Sequence, residues 1–380
     1  MRLAGPLRAA LLVGAAAALL ARCAADPPAS LPPVSRTDFT PLRPPVLGLA
    51  IERREDGVHR LVRCGEAAGG EILAEGSLEE CERALVADLE ARFGRGRPNL
   101  RAPTLGGLQL WADRMWLGGW RIQEQVYTGH FRLLDPRNRR EAWGSWEECR
   151  TALERVRLAG RLPAPRPRLV LLVHGLGRAT GAWERMEQAL RAEGWDVARI
   201  TYPSTRRSLA EHAAQLAGVL DRAEGVEEVS FVTHSLGGLV ARALLARAGD
   251  PWRERIRTGR LVMLAPPSRG STVAAALEDF LPFTWLAGPV ARELAVRDPL
   301  ALPPPPIPFA IIAGGKGDGE GWNPLLTGDD DGVVTVEETR LEGAAGFLVV
   351  PRLHTWIMRA PEVVAATVAF LRTGSLPAAG

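Results

Sequence analysis

"EEVSFVTHSLGGLVARAL", Glu227 to Leu244, is the stretch whose reading decides the fold. An apolar, β-branched run reaches Thr233-His234-Ser235 and turns at once into a helical pattern through Leu236, Gly237 and Gly238. A strand that bends sharply into a helix at a serine lifts the hydroxyl clear of the sheet. It also sets the serine against a helix N-terminus, where backbone N–H groups and the helix dipole favour developing negative charge. Gly237 and Gly238 remove side chains that would clash across such a turn. The match to G-x-S-x-G fails only at its first place, where Thr233 stands for glycine. Ser235 is therefore a candidate nucleophile.

The flanking sequence repeats the alternation. "RLVLLVHG" (168–175), "DVARITYPS" (196–204), "RLVMLAPP" (260–267), "PFAIIAGG" (308–315) and "GFLVVP" (346–351) read as short buried strands. Helical stretches run from Trp183 to Glu193 and over "SLAEHAAQLAGVL", where Ser208 and Glu211 form a capping box; Pro361 to Leu371 supplies a closing helix. Strands alternating with helices predict an α/β domain, a mostly parallel sheet with helices on both faces. In such sheets ligands bind beyond the carboxyl ends of the strands.

A serine hydroxyl needs a base, an orienting acid and oxyanion donors. The N–H of Leu236, opening the helix, is one expected donor. The loop "VHGLGR" (173–178) follows an earlier strand, and its glycines allow the N–H of Leu176 to serve as the second. Six histidines are present. His59 and His130 fall in the front of the chain, His212 in a helix and His174 in the oxyanion loop. His234 adjoins the serine, with its side chain expected to point away. His354, just past the last strand, remains as the base. The acid is sought between serine and histidine, where "TGDDDGVVTVEET" offers Asp329, Asp330 and Asp331.

With "HGLG", "THSLGGLVAR", "DGVV" and the late histidine in this order, residues 168–374 resemble the α/β-hydrolase superfamily. Within it they are most similar to bacterial lipases and to serine esterases related to GPI inositol-deacylases. The resemblance implies that the acid is the aspartate of the "DG" pair, Asp331, which lies 23 residues before His354; Asp330 and Asp329 are the alternatives. It also implies a lid in the insertion at about 272–306, with Phe280, Phe283 and Trp285 contacting an acyl chain. The same insertion reads equally as a helix pair packed on the sheet. The acidic stretch near Asp331 reads as a calcium site of the kind some bacterial lipases carry, or as a solvated loop. No other cofactor is expected, and no Cys/His cluster points to zinc.

Ahead of the hydrolase pattern, "GSLEECERAL" (76–85) recurs as "GSWEECRTAL" (144–153), a shift of 68 residues. Each copy reads as strand, turn, strand, helix, with a capping box at Ser77/Glu80 and Ser145/Glu148. The sequence thus predicts a small α+β domain of two ββα-like repeats over 46–160, the copies packed together, before the hydrolase domain at 165–375. Trp111, Trp116, Trp120, Trp143 and Trp146 crowd this region, as core or as a carbohydrate-binding surface. Cys64, Cys81 and Cys149 allow one disulfide and one thiol, or three buried thiols.

Residues 1–25 read as an export signal or membrane anchor: Arg2 and Arg8 precede the apolar run Ala9 to Ala21, with Ala24 and Ala25 at a cleavage site. Cys23 offers lipid attachment instead. Residues 26–45 form a Pro-rich tether, so the protein is expected in the periplasm, outside the cell or anchored to the envelope, with membrane or cell-wall association among its partners. The 47 basic and 44 acidic residues are spread along the chain, which gives nucleic acid no docking patch. The expected activity is cleavage of small-molecule or lipid carboxylic esters through an acyl-enzyme. The rivals are acyl transfer by the same triad and a non-catalytic envelope-binding module.

Overall fold

Six strands whose residues are apolar on both faces cannot stop at one sheet surface, and both surfaces are covered. The computed structural model describes residues 39–42, 49–64, 70–93, 104, 106–178, 180–277, 290 and 302–377. These fall into two compact units that divide between Asn99 and Leu100.

The larger unit carries a six-stranded sheet. Its strands are β9 (Arg168–Val173), β10 (Asp196–Ile200), β11 (Glu228–His234), β12 (Arg257–Leu264), β13 (Phe309–Gly314) and β14 (Gly346–Val350). They lie in the order β10-β9-β11-β12-β13-β14 and every pairing is parallel. Alternate residues of β9 enter opposite cores: Leu169, Leu171 and Val173 one, Val170 and Leu172 the other. The first core is closed by α4 (Leu209–Asp221) and α5 (Leu236–Ala246), the second by α3 (Glu184–Ala192) and α6 (Pro361–Thr373). The capping box expected at the start of α4 forms, Glu211 N–H donating to Ser208 Oγ at 3.3 Å. The expected α/β sheet with helices on both faces is the one observed. The chain leaves β9 for β10 on one side and returns to β11 on the other, so the carboxyl ends of β9 and β11 open at a topological switch point.

Each repeat is larger than the sequence pattern suggested. The smaller unit has a four-stranded antiparallel sheet, β1 (Phe39–Pro41), β2 (Leu49–Arg54), β3 (His59–Arg63) and β4 (Glu71–Gly76), followed by α1 (Leu78–Phe93). The second copy has β5 (Trp111–Leu117), β6 (Trp120–Gln125), β7 (Phe131–Leu134), β8 (Arg140–Gly144) and α2 (Trp146–Leu158). The unit is thus ββββα, and the ββα pattern is its second half. Leu61 and Cys81 of the first copy, like Leu133 and Cys149 of the second, are fully buried between sheet and helix. The repeated Gly-Ser-x-x-Glu is explained by Gly144 (φ +134°): a Cβ there would collide with the Glu148 carboxylate, which returns to the Ser145 N–H at 2.6 Å.

The second copy belongs to the larger unit, so the division falls at residue 99 rather than near residue 160. The reason is a buried polar network between β5, β6 and the segment after β10. Asp113 Oδ2 accepts from the Thr201 N–H at 2.6 Å and its Oδ1 from Gln123 Nε2 at 2.7 Å. Arg121 donates to Thr201 Oγ1 at 3.0 Å and stands 3.7 Å from Asp113. Gln215 on α4 donates to the carbonyls of Asp113 and Thr201 at 3.1 and 3.0 Å. Trp116 joins the core on one face of the six-stranded sheet and Trp120 the core under α2, while Trp111, Trp143 and Trp146 are half-buried.

Cys64 is exposed and Cys81 and Cys149 are buried, all three as free thiols. Among the described residues no helix is long and apolar enough to cross a membrane. The signal segment, Cys23 and most of the tether lie outside the described residues, as do Phe280, Phe283 and Trp285 of the insertion.

Removing one member of a buried, paired network strands the others without water. Asp113→Ala is expected to lower unfolding stability by about 3–5 kcal/mol, whereas Arg139→Ala, at a half-exposed ion pair with Asp135, should lower it by about 1 kcal/mol or less. Denaturant titration of the two variants checks the difference, and equal losses would show that the network does not hold the second copy in place.

Candidate active site

Ser235 sits between β11 and α5 with φ 53° and ψ −126°, and it is half-buried. Few non-glycine residues hold a positive φ, and one at the end of a buried strand marks a deliberate turn. Its N–H donates to the Leu264 carbonyl at 2.9 Å, and its own carbonyl accepts from the Gly238 N–H at 2.9 Å. The glycines have separate uses. A Cβ on Gly237 would overlap the Val173 carbonyl oxygen, and one on Gly175 would lie 3.0 Å from Ser235 Cβ. The loop after β9 therefore approaches the elbow as closely as backbone allows.

Thr233 replaces the expected glycine without disturbing this turn. It is fully buried, paired in the sheet with Val173 and Met263, and its hydroxyl reaches toward the Val262 carbonyl at 3.4 Å. Gly238 faces it: a Cβ there would be 3.5 Å from Thr233 Oγ1 and 3.0 Å from Pro266 Cβ.

The three adjacent aspartates have three different environments. Asp331 Oδ2 meets His354 Nδ1 at 2.7 Å, while its Oδ1 accepts from the Val333 and Val334 N–H groups at 3.0 and 2.8 Å. The His354 N–H also donates to the Asp331 carbonyl at 2.9 Å, so side chain and backbone are both registered. Asp330 is buried and accepts from the N–H groups of Trp322, Asn323 and Gly332, with its carboxyl raised above the usual range mainly by burial. Asp329 binds the N–H groups of Lys316 and Gly317 at 2.6 and 3.0 Å. Among the described residues no group of three or more His, Cys, Asp or Glu could hold a metal ion. With Asp329 and Asp330 given to backbone donors, the calcium expectation has no ligand set there.

His234 does more than point away from the serine. Its ring lies 4.6 Å from that of His354, and Nε2 is 2.9 Å from the His354 carbonyl. A carbonyl only accepts, so Nε2 carries the proton. Burial holds His234 well below the ordinary imidazole range, which keeps it neutral. The residue preceding Ser235 thus anchors the loop that carries His354. No sequence pattern signals a bond to a carbonyl 120 residues away.

In the loop after β9, the Arg178 N–H donates to the Gly175 carbonyl at 3.3 Å, closing a turn with Leu176 and Gly177 (φ +65°) at its centre. Leu236 is the first residue of α5, where an N–H has no intrahelical acceptor. Tyr202, fully buried, donates to the His174 carbonyl and stacks on the His174 ring at 4.3 Å. The His212 ring meets Tyr202 edge-on at 4.8 Å. Burial pushes both His174 and His212 down to about 4.

Residues 137–281 match the family described as domain of unknown function DUF7379. A probable esterase, PIR7A, of Oryza sativa subsp. indica is 30% identical over 120 residues, 29% of this chain; the match spans 44% of that relative, less than half its length. The mature form of the lipase BlEst2 of Bacillus licheniformis superposes with a TM-score of 0.45 at 21% identity, covering 55% of this chain and 94% of that one. Phospholipase PlaB of Legionella pneumophila gives 0.43 at 15% identity, over 55% of this chain and 60% of that one.

Neutral buried imidazoles make stability pH-dependent. Between the unfolded value near 6.5 and the folded value near 4, the unfolded chain takes up protons that the native one refuses at His174 and His212. Stability should therefore fall as pH drops from about 6.5 toward 4, by up to about 1.4 kcal/mol per pH unit for each histidine. Melting curves at pH 7 and 4.5 measure this, and His212→Phe should flatten the slope; an unaltered slope would refute it.

A six-stranded parallel sheet covered by helices on both faces, with Ser235 at the turn after its third strand, Asp331 between the fifth and sixth and His354 after the last, gives the chain the α/β-hydrolase fold.

Proposed function

We propose that the protein is a serine hydrolase that cleaves carboxylic esters of small molecules or lipids through an acyl-enzyme. The observation that carries this reading is the 2.7 Å bond from His354 to Asp331, on a loop held by the neighbour of Ser235. A bonded aspartate accepts the Nδ1 proton, which leaves Nε2 as the basic nitrogen. In this scheme Ser235 Oγ attacks the ester carbonyl as His354 Nε2 takes its proton. The oxyanion is stabilised by the N–H groups of Leu176 and Leu236. Collapse expels the alcohol, which receives the proton from His354, and water then releases the acid by the same steps. Asp331 keeps the imidazole oriented throughout, its second oxygen being fixed by two N–H donors.

Export, with attachment to the envelope or release from the cell, belongs to the same proposal and is supported by the basic and apolar pattern of residues 1–25 and the Pro-rich stretch that follows. Acyl-chain contact by Phe280, Phe283 and Trp285 is likewise part of it.

A fluorophosphonate probe is expected to label Ser235. Ser235→Ala should abolish labelling and lower p-nitrophenyl ester turnover by about 10⁴-fold or more. Asp331→Asn should lower kcat by about 10⁴-fold, whereas Asp329→Asn should leave it within a few-fold of the parent. Unchanged turnover in Ser235→Ala would sink the catalytic reading, and a loss that follows Asp329 instead of Asp331 would sink only the choice of acid.

A further inference from the structure

The second repeat reaches the oxyanion loop directly, and the geometry points to Gln109, in the loop that leads into β5, as the positioning residue for the Leu176 N–H. This rests on the proposed esterase reading. The Gln109 carboxamide is surrounded by donors on one side: Ser204 Oγ at 3.1 Å, the Thr205 N–H at 3.0 Å and Thr205 Oγ1 at 3.1 Å. An N–H can only donate, so the atom facing Thr205 is the oxygen. The amide nitrogen therefore faces the other way, where it donates to the Arg178 carbonyl at 3.2 Å. Ser204 relays the hold: its hydroxyl accepts from the Gly177 N–H at 2.9 Å while donating to Gln109.

The turn bearing Leu176 is thus gripped on the residues that follow it. Gly177 is held through Ser204 and Arg178 directly, while Tyr202 holds His174 on the other flank. Gly177 at φ +65° supplies no side-chain packing of its own, so the aim of the Leu176 N–H depends on these bonds. Oxyanion donors act only when fixed before the charge develops. A glutamine is needed because the site asks for a donor and an acceptor on one planar group. Glutamate keeps the acceptor, loses the donor and sets a carboxylate against the Arg178 carbonyl.

The test compares Gln109→Ala and Gln109→Glu with the parent full-length chain in p-nitrophenyl ester turnover, melting temperature and inhibition by phenylboronic acid, whose tetrahedral serine adduct presents an oxygen to the oxyanion donors. The expected result is a kcat about 10- to 100-fold lower, KM within about threefold, an unshifted pH profile of kcat/KM, and boronate inhibition weakened in step with kcat. If Gln109→Ala does not fold, Ser204→Ala, which removes only the relay to Gly177, carries the same expectation. Folded variants with kcat within twofold of the parent, or with a raised KM alone, overturn the positioning role while leaving the esterase reading intact. A parent chain with no Ser235-dependent turnover removes both, and fluorophosphonate labelling of the parent separates the two failures.

Discussion

At φ 53° and ψ −126° the backbone of Ser235 occupies a region that costs an L-residue roughly 1–3 kcal/mol, and only surrounding structure can keep it there. That structure is the parallel sheet. The Ser235 N–H is fixed to the end of β12, Gly237 lies against the end of β9, and Gly175 brings the neighbouring loop within backbone contact of the serine. Because β9 and β11 are adjacent strands running the same way, their carboxyl ends deliver the oxyanion loop and the elbow to one place. The histidine loop then has to meet this pair from the far edge of the sheet, and His234 gives it an attachment point.

Much of this was legible because parallel strands covered on both faces are rich in apolar residues, and six such short runs were visible. The positions of Ser235 and His354 were legible for the same reason, each lying just beyond a strand, whereas Asp331 falls deep in the connection between β13 and β14. Thr233 is no defect in the turn, since its side chain is fully buried at the strand end and even a Cβ on the facing Gly238 would meet its hydroxyl at ordinary van der Waals distance. Asp331 could be singled out only by resemblance. Three aspartates in a row have the same chemistry on paper, and their hydrogen-bond partners separate them: N–H donors for Asp329 and Asp330, an imidazole for Asp331.

Only half of each repeat is legible in the sequence, and the hidden half is informative. Strands β5 and β6 contain Asp113, Arg121 and Gln123, residues that ordinarily mark a solvated surface. All three are buried, and each is satisfied by partners on or beside the hydrolase sheet or within the repeat. A pattern of apolar and polar positions cannot distinguish a polar residue facing water from one facing a distant partner of matching geometry. The same blindness hid Gln109, which lies in a glycine-rich turn between the exposed Leu108 and Leu110.

The Gln109 contacts join residues 69 to 96 positions apart, always with the glutamine on the N-terminal side. A ribosome adding about 5–20 residues per second completes Gln109 some 5–20 s before Thr205. Strands β5 to β8 are linked by short hairpins, so that interval is ample for them to form, hairpins closing in roughly 1–10 μs. Asp113 and Arg121 of the repeat, in turn, meet Thr201 only once the segment after β10 has been made. The repeat and the loops after β9 and β10 thus complete one another, each supplying the partners that the other buries.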